Sequence, residues 1–118
     1  MGFTTATVRG PKFVAVEVTG LAFVEDAAPL LKALEADTRL HGDKRLLINL
    51  LDVVGTLGGA DHDLLGKLAS RHLAHLEKVA SLVPGDKITR VSERSAQLRG
   101  LHLMVFTSLV DAVEWLTD

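Results

Sequence analysis

The stretch Leu46-Leu47-Ile48-Asn49-Leu50 is almost continuously apolar and shows no alternation. A strand with one wet face alternates apolar and polar residues, whereas a strand covered on both faces does not. The run therefore predicts a buried strand at the centre of an α/β sheet. Lys44-Arg45 precede it. Leu51-Asp52-Val53-Val54-Gly55-Thr56-Leu57-Gly58-Gly59-Ala60-Asp61 follow, reading as a glycine-rich loop and the start of a helix. Asn49 is the polar exception and needs hydrogen-bond partners if buried.

The rest of the chain can be packed around this strand. Phe3 to Arg9, rich in β-branched residues, and Phe13 to Val18 predict two strands joined at the turn signal Gly10-Pro11, an antiparallel hairpin. Asp26 to Leu40 predicts a helix, with Leu30, Leu31, Leu34 and Thr38 on one face, Asp26 as N-cap and Gly42 as left-handed stop. Ala60 to Leu76 predicts a second helix with Leu64, Leu65, Leu68, His72 and Leu76 along its stripe. Gly66 weakens that helix by up to ~1 kcal/mol relative to alanine, or allows close packing on the sheet. Val79 to Val83 reads as a strand. Ile88 to Arg99 reads as a helix with Ile88, Val91, Ser95 and Leu98 inward. Leu101 to Phe106 reads as the last strand, and Ser108 opens a final helix lined by Val110, Val113 and Leu116.

The order β-β-α-β-α-β-α-β-α implies an α/β fold: a mostly parallel sheet of about five strands, an N-terminal hairpin, four helices and right-handed crossovers. A length of 118 residues without repeats or linkers is expected to form a single domain, residues 1–118. The formal charge of −2 and the few aromatics argue against nucleic-acid binding. The absence of cysteine excludes thiolate metal sites and disulfides and suits a reducing cytoplasm. No apolar run approaches the ~18 residues a membrane helix needs, and no signal peptide is expected, so stable membrane insertion is not anticipated.

Few residues announce chemistry. Gly55-Thr56-Leu57-Gly58-Gly59 lies between a strand and a helix, where backbone amides can meet an anion. It lacks the lysine and hydroxyl of a phosphate-binding P-loop and is not GxGxxG, so a tight connection is the plainer reading. In open α/β sheets, however, ligands and partners meet the loops at the carboxyl ends of strands. His72 and His75, three residues apart on the second predicted helix, are the candidate metal ligands. They lack a third partner, and His62 lies roughly 15 Å away along a helix. A core-edge histidine and a solvated one are the simpler interpretation. His41 and His102 have no evident partners. Lys87, Arg90 and Arg94 share a helical spacing that reads as a solvated face or a patch for an acidic partner. No serine sits in a nucleophile motif. No cofactor is expected, and the chain is read as non-enzymatic.

Taken in order, several segments resemble one family. They are Val16-Glu17-Val18-Thr19-Gly20 ahead of a helix containing Glu25-Asp26, Arg45-Leu46-Leu47-Ile48-Asn49-Leu50, Gly55, Glu77-Lys78-Val79-Ala80, and Val105-Phe106 followed by Asp111-Ala112-Val113-Glu114-Trp115-Leu116. The chain resembles the bacterial SpoIIAA-like proteins, relatives of the STAS anti-anti-sigma fold that are also similar to CRAL-TRIO lipid-transfer domains. In STAS antagonists a serine at the start of the second helix is phosphorylated. Counting from Asn49, that serine falls on Gly58, so the phosphoacceptor is missing, and Thr56 is a hydroxyl two positions early. The resemblance thus implies a cytoplasmic regulatory module without the usual phospho-switch. It would dock a protein partner or sense a small ligand through Asp52, Gly55, Thr56, Leu57, Gly58, Gly59, Asp61 and His62. The CRAL-TRIO kinship implies, alternatively, a carrier of a lipid or other apolar ligand in a cavity between the helices and the sheet. The first strand, if an edge strand, would support a homodimer.

Overall fold

The structure, a computed structural model, describes residues 3–21, 24–55, 57–87 and 90–118. In chain order the elements are β1 (Thr4–Arg9), β2 (Val14–Leu21), a 3-10 turn (Val24–Asp26), α1 (Ala27–His41), β3 (Arg45–Asn49) and β4 (Val53–Val54). There follow α2 (Gly59–Leu73), β5 (Lys78–Leu82), a second 3-10 turn (Gly85–Lys87), α3 (Val91–Leu98), β6 (Leu103–Phe106) and α4 (Leu109–Thr117). The sheet runs β1-β2-β3-β5-β6, with the short β4 beside β2. The β1–β2 hairpin is antiparallel and the other pairings are parallel. The expected order is present, with one two-residue strand more than the sequence indicated.

The central strand behaves as its composition demands. Leu46 and Ile48 enter the core beneath α1, α2 and α3, while Leu47 enters the core beneath α4. Val14, Val16 and Val18 alternate into the first core from β2. Leu46, Leu73, Leu82 and Leu116 are fully buried, each contributing about 1.5–3 kcal/mol relative to exposure. Three helices therefore cover one face of the sheet and α4 covers the other.

Gly42 closes α1 in the left-handed region (φ 67°) and donates its amide to Arg39 O, as expected. Ser108 caps α4, its hydroxyl accepting from the Asp111 amide at 3.4 Å. Other local expectations need correction. Asp26 makes no capping bond, because the 3-10 turn runs straight into α1 and leaves its backbone helical (φ −89°, ψ −10°). The second helix ends at Leu73, so His75 lies in the turn after it. Leu64, Leu98 and Val110, expected to face inward, are exposed. Ile88 lies outside the described residues, and α3 begins only at Val91, placing Lys87 in the preceding turn.

Gly66 packs on a helix, not on the sheet. A Cβ there would lie 2.6 Å from Ser92 O and 2.6 Å from Ser95 Cβ. Ser95 is buried and donates its hydroxyl to the Asp63 carbonyl at 3.1 Å, tying α3 to α2.

The two sheet edges are treated differently. Along β6, the Val105 amide donates to Glu93 Oε2 at 2.7 Å, and Gln97 Nε2 donates to Leu103 O at 2.8 Å. Side chains of α3 thus satisfy backbone groups that a further strand would otherwise engage. At the opposite edge, every residue of β1 is exposed.

Candidate functional site

The parallel strands β2, β3, β5 and β6 point their carboxyl ends to the same end of the sheet, and there the chain opens a cavity. Its first wall is made by the turn after β3. Leu50 donates its amide to Leu82 O at 2.8 Å, and Asn49 Oδ1 accepts the Leu51 amide at 3.0 Å. This side-chain turn supplies the partner that Asn49 required. It swings Val53 and Val54 over to pair with Gly20 and Leu21. Gly55 follows at φ 96°, a conformation that favours glycine.

The resulting cavity measures about 280 Å³. Leu30, Leu31 and Leu34 of α1, His62, Leu65, Gly66 and Ala69 of α2, and Ile48, Ser81, Leu103 and Val105 of the sheet line it, with Leu50, Val53, Gly55, Leu57, Asp86, Arg90 and Ser92 at the strand ends. Gly66, which meets α3, is among the lining residues. The cavity walls are mainly apolar. Three of the expected loop residues, Gly55, Leu57 and His62, line it. Asp52, Gly58 and Gly59 are exposed on the outer side, and Asp61 is half-buried at the start of α2. Thr56 lies outside the described residues.

Gly58 holds the N-cap position of α2 in an extended conformation (φ −77°, ψ 172°), with its carbonyl accepting the His62 amide at 3.0 Å. Nothing lies within 4 Å of a Cβ added at Gly58 or Gly59. Neither glycine is there to relieve crowding.

His72 and His75 do not come together as a metal site. His72 Nδ1 lies 2.9 Å from Glu35 Oε1, and His75 Nε2 lies 2.8 Å from Thr38 Oγ1, both partners being on α1. Among the described residues no group of three or more His, Cys, Asp or Glu could hold a metal ion. Neither histidine is solvated, contrary to the simple expectation; both clip α1 to the end of α2. Thr38 spends its hydroxyl proton on Leu34 O at 2.7 Å, so His75 Nε2 donates to it, and His75 Nδ1 is left buried without a partner. Burial, and then the nearby Arg39 charge, push the His75 imidazole below its ordinary pKa. The His72 hydrogen bond holds the Glu35 carboxyl below the usual range. His41 and His102 also have neighbours: His41 Nδ1 lies 2.9 Å from Asp37 O, and the His102 ring meets Trp115 edge-on at 5.0 Å.

A SpoIIAA-like family model matches residues 13–117. The chain belongs to the SpoIIAA-like family. Two solved structures share the fold. An uncharacterised DUF3478-family protein with a SpoIIAA-like fold from Shewanella loihica PV-4 is 22% identical with a TM-score of 0.60, over 98% of this chain and 94% of that one. An anti-sigma factor antagonist from Mycobacterium paratuberculosis is 20% identical with a TM-score of 0.65, over 99% and 96%. No curated protein matches the chain.

Sequence reasoning pointed to the 55–62 loop of this SpoIIAA-like protein, three residues of which border the cavity, and not to the residues deeper in it. Ser81, Ser92 and Arg90 were not singled out for it. One signal was present: Ser81 interrupts the apolar strand Val79-Ala80-Ser81-Leu82 on the face that carries Val79 into the core.

Proposed function

We infer that this SpoIIAA-like protein is a non-enzymatic ligand-sensing module that takes a small apolar molecule into the cavity beside the 55–62 loop. The observation that carries this reading is the cavity itself, which Gly55, Leu57 and His62 border on the loop side. At about 280 Å³ it is nearly twice the ~150 Å³ that accommodates benzene, leaving room for roughly ten to twelve non-hydrogen atoms. Occupancy would be reported outward by the same loop, whose Asp52, Gly58 and Gly59 face solvent. A protein partner there is supported by the shared fold with an anti-sigma factor antagonist. The missing serine at Gly58 favours control by ligand over control by phosphate.

Thermal unfolding tests the ligand arm. Decan-1-ol, with eleven non-hydrogen atoms, is expected to raise Tm by several degrees when its concentration reaches ten times Kd, since binding to the folded state alone stabilises by mass action. An Ala69→Phe variant that remains folded by circular dichroism should show no rise. An equal rise in both proteins contradicts the cavity reading. For the partner arm, Gly58→Arg and Asp61→Arg variants that retain every wild-type partner in a pull-down contradict docking at the loop.

A further inference from the structure

The cavity is not uniformly apolar. Leu30, Leu31 and Leu34 of α1 and Ile48 of β3 line it with apolar side chains, whereas Ser81, Ser92 and Arg90, from β5 and the start of α3, border it with polar ones. Neither serine hydroxyl has a hydrogen-bond partner among the described residues. Arg90 Nη1 is engaged by Glu93 Oε2 at 2.9 Å and by Val105 O at 3.4 Å. Its Nε and Nη2, the edge that forms a two-pronged contact with a carboxylate, have no partner among the described residues. Arg90 also stands in the left-handed region (φ 59°), alone among the described non-glycine residues. Such strain in a side-chain-bearing residue persists where the surroundings enforce it, often at ligand clamps.

We propose that the ligand is a medium-chain monocarboxylate, its tail lying between α1 and β3 and its carboxylate held at the β5–α3 corner by Arg90, Ser81 and Ser92. This rests on the reading of the cavity given above and adds the head group. Charge selects a single negative charge: one guanidinium edge is open, while the Glu93 carboxylate already sits on the other nitrogen and Asp86 lines the same corner. A dianion such as a phosphate monoester would add repulsion from both carboxylates, with no second cation among the described lining residues to meet it. Chain length follows from the volume, which fits about ten to twelve non-hydrogen atoms.

Isothermal titration of the full chain with decanoate, decan-1-ol and decylamine at pH 7.5, each below its aggregation limit, tests the assignment. Decanoate is expected to bind about tenfold or more tighter than decan-1-ol, and decylamine most weakly. Arg90→Gln should bring decanoate down to the affinity of decan-1-ol and leave decan-1-ol unchanged. Should Arg90→Gln unfold, Arg90→Gly, which relaxes the backbone, and Ser81→Ala serve the same comparison. Decan-1-ol binding as tightly as decanoate, or decanoate affinity unmoved by the Arg90 variants, overturns the carboxylate assignment while leaving the cavity reading intact. No binding of any of the three overturns both.

Discussion

Gly66 of α2 and Ser95 of α3 meet so closely that a Cβ on the glycine would stand 2.6 Å from the serine's Cβ. The contact is made by a position where helix propensity alone asks for alanine. Gly66→Ala removes up to ~1 kcal/mol of propensity cost, but overpacking of a tight core contact costs about 1–3 kcal/mol. Ser92 O, a backbone atom, is equally close and has little freedom to retreat. Net destabilisation of roughly 1–2 kcal/mol is expected in urea unfolding. A stabilised Gly66→Ala protein would show that α2 and α3 are not held at this distance.

Gly58→Ser gives the opposite sign. Position 58 is the extended N-cap of α2, with open space where a side chain would go. A serine hydroxyl there would accept one of the helix's unpaired first-turn amides. The gain over glycine is a few tenths of a kcal/mol, visible as a higher urea midpoint with an unchanged m-value. This puts a serine at the head of the helix with no steric penalty. A loss of stability would contradict the N-cap geometry.

His75 confers a pH dependence. Its imidazole is held below its ordinary pKa, chiefly by burial and then by Arg39 and Lys44, with Glu35 opposing. The unfolded chain therefore takes up the proton more readily than the folded one. The stability contributed by the neutral, Thr38-bound ring is complete above the unfolded pKa of about 6.5. It is lost as pH falls through that value toward the lower folded pKa. His75→Gln keeps a donor toward Thr38 and does not titrate. Denaturation between pH 7.5 and 5 should show a fall for the wild type that His75→Gln lacks; parallel curves would refute the assignment.

Glu93 guards the β6 edge. Glu93→Ala leaves the part-buried Val105 amide without its acceptor, at a cost of about 1–3 kcal/mol. Hydrogen exchange at the Val105 amide should accelerate in Glu93→Ala and recover largely in Glu93→Gln, whose side-chain oxygen can still accept. Unchanged exchange would mean that another group protects this amide.

The layout of the molecule was legible in the sequence because burial writes itself into residue type. Leu46 to Ile48 had to be covered on both sides, and Gly42 had to end a helix. What was not legible depended on distances across the fold. Nothing in the spacing of His72 and His75 indicates that Glu35 and Thr38 on another helix would engage them. Gly66 signalled close packing but suggested the sheet as its partner, whereas the contact is with Ser92 and Ser95 of α3. Leu64, Leu98 and Val110 kept helical period yet are exposed; an apolar stripe can be wider than the surface available to cover it. The cavity was the least legible feature, since its walls of Leu31, Leu34, Ile48 and Leu65 read the same in sequence whether they enclose space or fill it.

The central claim is that this space receives an apolar molecule, and the most direct test is an amide-resolved NMR titration with decan-1-ol. Saturable shifts concentrated at Leu31, Leu65, Ser81 and Val105, absent in folded Ala69→Phe, are predicted. Shifts that do not saturate, or that persist unchanged in Ala69→Phe, would contradict it.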